Sequence, residues 1–186
     1  MTSIYLAGPE VFHPEARALG LAKQEICAAR GVAGLYPLDG TLPQDLAPGD
    51  LARAICAANI ALIRRADAVI ANLTPFRAPG ADAGTVFEVG FALALGKPVI
   101  GYRNTTLPYA DRVRQWNGGT LAADGAGTLR DRDGLMVEDF GLGDNLMIDG
   151  SIEVIERASA APLTDLAGFE AALRRLLHTL EVPFAH

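Results

Sequence analysis

The sequence predicts an α/β fold, in which helices cover both faces of a doubly wound, five-stranded parallel sheet. Short apolar runs alternate with longer segments of helical periodicity, and Gly or Pro marks most of the boundaries between them. Half of the 186 residues are apolar and a fifth are charged, a composition that supports a sizeable core. The length lies just above the ~100–150 residues most common for one domain. We therefore predict a single domain over residues 1–186.

Four strands and three helices are predicted in the first part of the chain. The apolar runs predict strands at Ser3–Leu6, Gly34–Tyr36, Ala68–Leu73 and Pro98–Tyr102. The helices between them are predicted at Pro14–Arg30, Leu51–Arg65 and Thr85–Leu95. Asp50 is a suitable N-cap for the second helix, and Gly31 follows the first helix where a C-cap is expected.

The pattern is less regular after the fourth strand. It predicts a polar helix at Leu107–Trp116, a loop or hairpin at Asn117–Asp133, the fifth strand at Leu135–Phe140 and a loop at Asp144–Asp149. A final amphipathic helix begins near Thr164, because leucines and a phenylalanine then recur at helical spacing.

Charge and composition exclude several classes of partner. The net charge of −6 argues against a protein that binds a nucleic acid polymer, since phosphate binding needs clustered Lys and Arg. The sequence has no apolar run near the ~20 residues that span a bilayer and no basic, apolar leader. Cys27 and Cys56 form neither a zinc motif nor a disulfide framework, and we predict that both are buried. We expect a cytoplasmic protein with no membrane partner.

The predicted topology indicates where a ligand would bind. Open parallel sheets bind ligands beyond the carboxyl ends of their strands, at the point where the strand order reverses. In the common order 2-1-3-4-5, strands one and three are neighbours at that point. The loops that follow them are Ala7–Phe12 and Thr74–Gly84, and the second is unusually long. We expect the functional site between these two loops.

Motifs for cofactor chemistry are missing from the sequence. It has no phosphate-binding P-loop, and its nearest match to the dinucleotide fingerprint, at Gly141–Leu146, lacks the third glycine. It also has no nucleophile elbow of the α/β-hydrolases. None of the histidines, His13, His178 and His186, has another within metal-ligand spacing. We expect no cofactor and no metal.

Two carboxylic acids remain as candidates for chemistry. Asp82 and Glu88 lie six positions apart, one in the long loop and one in the helix after it. Two carboxyl groups in different environments are the groups that cleave glycosidic bonds. Both residues also have structural interpretations. Thr85 and Glu88 fit a capping box, and Asp82 is a common turn residue, so both roles remain open from the residues alone.

Four blocks of sequence together resemble a known family. They are Ile4-Tyr-Leu-Ala-Gly-Pro-Glu-Val-Phe12, Ala66-Asp-Ala-Val-Ile-Ala-Asn-Leu-Thr-Pro-Phe-Arg77, Asp82-Ala-Gly-Thr-Val-Phe-Glu-Val-Gly-Phe-Ala92 and Asp144-Asn-Leu-Met147. In this order they resemble the nucleoside 2-deoxyribosyltransferases. The similarity runs from about residue 3 to residue 149, and Asn117–Arg132 contributes little to it.

The resemblance implies a flavodoxin-like fold and an enzyme that exchanges the base of a 2′-deoxyribonucleoside for a free purine or pyrimidine base, without metal or cofactor. By this resemblance, Glu88 corresponds to the family's nucleophile and Tyr5 to the tyrosine that orients this carboxylate. Asp82 corresponds to the acid that protonates the leaving base. Asn145 and Met147 correspond to a segment that, in the family, a neighbouring subunit inserts over the sugar. It therefore implies a homo-oligomer, at least a dimer with shared active sites.

Four further residues are candidates for substrate contact. Gly8 lies in the first matching block, and Asn59 stands where part of the family has Asp beside the base. An amide both donates and accepts hydrogen bonds, so this exchange leaves the choice between purine and pyrimidine open. Phe12 and Phe76 are suited to stacking on a base, although a role in the core is the more frequent one for such residues.

Two alternative functions remain open at this point. Pro79-Gly80 and Gly84–Glu88 are similar to a motif of phosphoribohydrolases, which release a base from a nucleoside monophosphate, but the spacing is one residue longer and a glycine is missing. A hydrolytic N-glycosidase acting on nucleosides or their 5′-monophosphates is the first alternative. A non-catalytic nucleotide-sensing domain on the same fold is the second.

Overall fold

The computed structural model describes residues 1–40 and 45–181. Its strands are β1 (Ser3–Ala7), β2 (Ala33–Leu35), β3 (Ala68–Asn72), β4 (Val99–Arg103), β5 (Ala122–Ala123), β6 (Leu129–Arg130) and β7 (Glu153–Glu156). Its α-helices are α1 (Ala16–Ala28), α2 (Pro48–Arg65), α3 (Ala83–Ala94), α4 (Tyr109–Trp116), α5 (Leu146–Asp149) and α6 (Ala167–Glu181). A short 3₁₀ turn, Pro9–Phe12, follows β1.

The main sheet has five parallel strands in the order β2-β1-β3-β4-β7. Tyr5 of β1 lies between Leu35 of β2 and Val69 of β3, so β1 and β3 are central neighbours. Strands β5 and β6 form a separate antiparallel hairpin within the segment predicted as loop or hairpin. The α/β class, the five-stranded parallel sheet, the single domain and the strand order are therefore confirmed.

The predicted position of the fifth strand is wrong. The segment 135–140 is not in the main sheet, and Leu135 is 65% exposed. The fifth strand is Glu153–Glu156, which pairs with β4. This strand lies at the edge of the sheet, and its two outer residues are glutamates, so its sequence lacks the apolar run that marks a buried strand.

Several element boundaries also differ from the prediction. Helix α2 begins at Pro48, which occupies the first turn after Ala47, so Asp50 lies inside the helix rather than at its N-cap. Helix α1 begins at Ala16, two residues after Pro14. Leu146–Asp149 forms the short helix α5 inside the segment predicted as a loop, and the side chain of Asn145 caps it.

Alternate residues of β1 face two hydrophobic cores. Ile4 and Leu6 pack on the face that α1 and α6 cover, where Phe169 is fully buried. Tyr5 and Ala7 face the opposite way, into the core formed with α2 and α3. The side chain of Tyr5 therefore lies on the same side of the sheet as Glu88 of α3.

The two cysteines lie in different environments. Cys27 is buried against the core, as predicted, whereas Cys56 is exposed, so the prediction of a second buried cysteine is wrong. Cys56 lies on the exposed side of α2, in which Ile63 is the buried residue. In the part of the chain that the structure describes, we find no helix with the length and apolarity needed to cross a membrane.

Candidate active site

A cavity of about 250 Å³ opens at the carboxyl ends of β1 and β3. It is lined by Gly8, Val11, Phe12, Pro37, Leu38, Ile55, Asn59, Asp82, Gly84, Thr85 and Glu88. Both loops named by the topology argument contribute to it, together with α2 and α3. The predicted location of a ligand site, where the strand order reverses, therefore contains a cavity.

Glu88 and Tyr5 form the shortest contact in this cavity wall. The Tyr5 hydroxyl donates to Glu88 Oε1 at 2.6 Å, and Asn59 Nδ2 donates to the same oxygen at 3.5 Å. Tyr5 is fully buried on β1, which fixes the position of its hydroxyl. Three elements that share one face of the sheet thus hold one carboxyl group at the cavity.

The surroundings of Glu88 oppose its ionisation. The pKa of Glu88 is raised to about 7: burial is the main cause, the nearby Asp82 carboxylate adds to it, and the hydrogen bond from Tyr5 acts in the opposite direction. Burial and the charge of Glu88 raise the pKa of the Tyr5 hydroxyl, so this group stays protonated and remains a donor. Near neutral pH the site therefore holds a carboxyl group that gains or loses its charge readily.

Asp82 is the N-cap of α3. Its Oδ2 accepts hydrogen bonds from the backbone N–H of Thr85 at 2.8 Å and from the Thr85 hydroxyl at 2.9 Å. In the described part of the chain its Oδ1 makes no hydrogen bond, so this oxygen is available to a ligand. The capping-box interpretation of Glu88 is wrong, because Asp82 satisfies the helix N-terminus and Glu88 lies a full turn inside the helix.

Asn59 has one polar atom that no neighbour satisfies. Its Oδ1 is buried and has no hydrogen-bond partner among the described residues, whereas its Nδ2 contacts Glu88. Because a buried acceptor without a partner is costly, a ligand that donates to Asn59 would relieve that cost. The side chain lines the cavity, consistent with its predicted place near a base.

An aromatic pair stands at the edge of the cavity. The rings of Phe12 and Phe76 stack at 5.3 Å, and the guanidinium of Arg77 lies over both. Phe12 is 56% exposed and lines the cavity, so the interpretation of Phe12 as a core residue is wrong. Phe76 supports Phe12 from outside the cavity. Gly8 lines the cavity with its backbone.

Asn145 and Met147 lie outside this cavity. They border a groove beside a different face of α3, formed with Val86, Gly90 and Leu93. Met147 is 72% exposed, and the side chain of Asn145 donates to Glu138 while it caps α5. The chain does not bring these two residues to its own Glu88.

The apolar wall of the cavity includes three residues that sequence reasoning missed. Pro37 and Leu38 follow β2, and Ile55 projects from α2. The rule that ligands bind beyond the carboxyl ends of strands, applied to the second strand as well, identifies the first two. Ile55 belongs to the apolar face of α2, and helical periodicity does not distinguish a residue that lines a cavity from one that packs in the core.

A larger and more open cavity of about 470 Å³ lies on the other side of the Thr74–Gly84 loop. Thr74, Pro79, Arg112 and Trp116 are among its lining residues, and none of the described residues that line it is a carboxylic acid. The guanidinium of Arg112 is engaged by backbone carbonyls, including that of Pro79. This cavity has no pair of groups for acid–base chemistry, so volume does not identify the candidate active site.

Comparison with known proteins supports the resemblance. The family model described as nucleoside 2-deoxyribosyltransferase matches residues 4–147. The chain belongs to the nucleoside 2-deoxyribosyltransferase family. The matched range contains both site loops, Tyr5, Asp82 and Glu88, and it ends at Met147. The family is named for the transfer of a deoxyribosyl group from a nucleoside, so its substrates are small molecules.

Individual relatives agree with this membership. An uncharacterized protein of Schizosaccharomyces pombe is 34% identical over 184 residues, covering 93% of this chain and 87% of the relative. A 2-deoxyribosyltransferase from Leishmania mexicana superposes with a TM-score of 0.68 at 31% identity, covering 96% of this chain and 98% of the other. A conserved protein from Enterococcus faecalis shares the fold, with a TM-score of 0.54 at 19% identity over 97% of this chain and 99% of the other.

Proposed function

We propose that this chain transfers the 2-deoxyribosyl group between nucleobases through a covalent glutamyl intermediate. The observation that carries the proposal is the Tyr5–Glu88 hydrogen bond at the wall of a cavity that also holds Asp82. A carboxylate fixed by a buried donor suits attack on a sugar carbon, and a second carboxyl group suits proton transfer to a base. Family membership adds independent support.

The reaction takes place in two displacements at one carbon. A carboxylate oxygen of Glu88 forms a bond to C1′ of the deoxyribose while the bond from C1′ to the base nitrogen breaks, and Asp82 gives its proton to the departing base. A nitrogen of the second base then attacks C1′. The Glu88 carboxylate leaves, and the proton of the incoming base passes to Asp82. Two inversions give net retention, as in retaining glycosidases.

The cavity walls have separate roles in recognition. Phe12 provides a face for stacking on the base, with Phe76 behind it, and Asn59 Oδ1 is placed to accept a hydrogen bond from the base. The backbone of Gly8 lines the cavity and is available to contact the sugar. An apolar wall against C2′ disfavours ribose by only ~10²-fold, since apolar pockets reject a hydroxyl weakly.

A second copy of the chain completes the site in this proposal. Asn145 and exposed Met147 project beside α3 and away from their own Glu88 cavity, which suits a segment that covers the site of a neighbour. This segment precedes the fifth strand, β7, whereas the sequence predicted it after the fifth strand. The shared site therefore rests on exposure and family membership. A symmetric dimer has two identical sites.

Hydrolysis of a nucleoside 5′-monophosphate is the second candidate reaction. A phosphate needs cationic or N–H donors, and none of the described residues that line the Glu88 cavity is Lys, Arg or His. The lining therefore favours an uncharged nucleoside. Incubating the protein with a deoxynucleoside and a different free base, and separating the products by chromatography, distinguishes the functions. Exchanged nucleoside supports transfer, free sugar alone supports hydrolysis, and no product supports a sensor.

For a nucleoside with an activated leaving group, which needs no proton from Asp82, we expect kcat/KM to rise with pH and level off above about 7, because the pKa of Glu88 is about 7 and only its ionised form attacks the sugar. Tyr5→Phe removes the hydrogen bond that favours the ionised form, so its midpoint moves to higher pH and its rate falls. Rate profiles from pH 5 to pH 9 test both statements. Tyr109→Phe, on α4 outside the cavity, is the matched control. A profile for Tyr5→Phe with an unchanged midpoint contradicts the orienting role.

Asp82→Asn is expected to slow exchange about 10²–10⁴-fold for bases that leave only when protonated. A nucleoside with an activated, acidic leaving group should lose much less, because it needs no proton from Asp82. Asparagine caps helices as well as aspartate does, so α3 should remain intact. Parallel rate measurements with the two substrates test the role. An equal loss with both substrates shows that Asp82 only positions the base.

A further inference from the structure

A chain of buried polar side chains runs beneath the active-site cavity. Lys23 of α1 and Glu10, in the turn after β1, form an ion pair in which each is only 1% exposed. Asn72, at the end of β3, donates to Glu10 Oε2 at 2.9 Å and accepts from the backbone N–H of Thr74 at 3.0 Å. None of these four residues lines the Glu88 cavity.

The hydrogen bonds of this network have only one consistent direction. The Thr74 N–H can only donate, so Oδ1 of Asn72 faces it and Nδ2 faces Glu10. The carboxyl group of Glu10 contacts Asn72 through Oε2 and Lys23 through Oε1. A buried ion pair is weak evidence for a stabilising role, because an apolar pair of similar volume is often as stable.

The network connects the two loops that form the cavity. Glu10 lies between Gly8 and Val11, which line the cavity, and Thr74 begins the loop that ends at Asp82. A Cβ atom at Gly8 would lie 2.3 Å from Glu10 Oε2 and 2.7 Å from the Cβ of Asn72. The backbone of the cavity wall at Gly8 therefore packs directly against this network.

We propose that Lys23, Glu10 and Asn72 are positioning residues that hold the two site loops against each other and so set the affinity of the cavity for the nucleoside. The effect on affinity rests on the proposed function. The Tyr5–Glu88 pair is built on β1 and α3 rather than on the loops, so binding should depend on the network more than the chemical step does.

Asn72→Ala is the direct test, because it removes both loop contacts and leaves the ion pair in place. KM for the deoxynucleoside is expected to rise about tenfold or more, with a much smaller change in kcat. Hydrogen–deuterium exchange followed by mass spectrometry should show faster exchange in peptides covering residues 8–12. Asn117→Ala, at the end of α4, loses a hydrogen bond to Val113 and is the matched control. Either a wild-type KM or wild-type hydrogen exchange in Asn72→Ala overturns the proposal.

A second set of variants separates positioning from stability. Lys23→Met leaves the Glu10 carboxylate buried without its cation, so both the melting temperature and the affinity should fall. Lys97→Met, at the only other lysine of the sequence, is the control and should keep the wild-type KM. The double variant Lys23→Met with Glu10→Met should recover melting temperature but not KM, because Asn72 still lacks its acceptor. If KM recovers together with the melting temperature, the network is only structural and the proposal is overturned.

Failure of the proposed function has a different signature. Wild-type protein that exchanges no base contradicts the transferase proposal. The hydrogen exchange of residues 8–12 in Asn72→Ala needs no activity, so it still tests whether the network holds the loop. Unchanged protection there overturns the positioning role by itself.

Discussion

Glu88→Ala is expected to lower base exchange by about 10⁴-fold or more, in line with the loss of a nucleophile in other covalent enzymes. The variant removes the atom that bonds to C1′ and leaves the cavity otherwise intact. Initial rates of exchange, with product separated by chromatography, measure the loss. Residual activity within tenfold of wild type contradicts the assignment of Glu88 as nucleophile.

Glu88→Gln is the matched control for folding. The pKa of Glu88 is raised to about 7 in the folded protein from 4.5, so its stabilising contribution is complete below pH 4.5 and is lost as the pH rises to about 7. At pH 8 the amide avoids burying a charge. At this pH, Glu88→Gln should unfold at a higher temperature than wild type. Its free energy of unfolding should be higher by up to about 3 kcal/mol. An inactive but more stable variant shows that lost activity is not lost folding.

Trapping identifies the nucleophile directly. A 2-fluoro-2-deoxy nucleoside should react slowly and leave its sugar attached, because fluorine destabilises the positive charge of both transition states. Asp82 and Glu88 lie on the same tryptic peptide, so fragmentation of that peptide in the mass spectrometer is needed, and it is expected to place the added sugar mass on Glu88. Sugar on Asp82 instead reverses the two roles.

Mixed dimers are expected to regain about a quarter of wild-type activity when inactive Glu88→Ala and Asn145→Ala proteins are unfolded together and reannealed. Random pairing makes about half of the dimers mixed. Each mixed dimer has one site with both residues intact and one site with neither. Asn145→Ala also removes the cap of α5, at a cost of about 1 kcal/mol. Recovery of activity in the mixture shows that this loss alone does not explain inactivity.

The control mixture pairs Glu88→Ala with Asp82→Asn. Both substitutions lie in the cavity of one chain, so no mixed dimer contains an intact site, and activity should not exceed that of the Asp82→Asn protein. Native mass spectrometry verifies that subunits have exchanged. Exchanged subunits without recovered activity in the first mixture show that the site lies within one chain.

Much of the fold could be predicted because it depends on local pattern. Strands β1, β3 and β4 are buried and read as apolar runs, and the helices between them have a clear period. The strand order then places the loops after β1 and β3 side by side. The position of the cavity follows from these two facts.

The fifth strand could not be predicted in the same way. Edge strand β7 carries a glutamate at each end, and its partners are residues of β4 about fifty positions earlier. Arg103, which is fully buried, pairs with Glu156 of this strand and with Asp149. These charged contacts connect distant parts of the chain, and hydrophobic periodicity does not predict them.

By itself, the sequence determined the fold class and the region of the cavity, and it singled out Tyr5, Asp82 and Glu88 as candidates, because strand and helix patterns are local and family blocks are contiguous. Only the tertiary structure decided what surrounds those residues. It showed that Asp82 caps α3, that burial raises the pKa of Glu88, and that Lys23 and Glu10 form a buried ion pair beneath the loops. Burial and electrostatics depend on groups that are distant in sequence and adjacent in space, so the fold has to form before they exist.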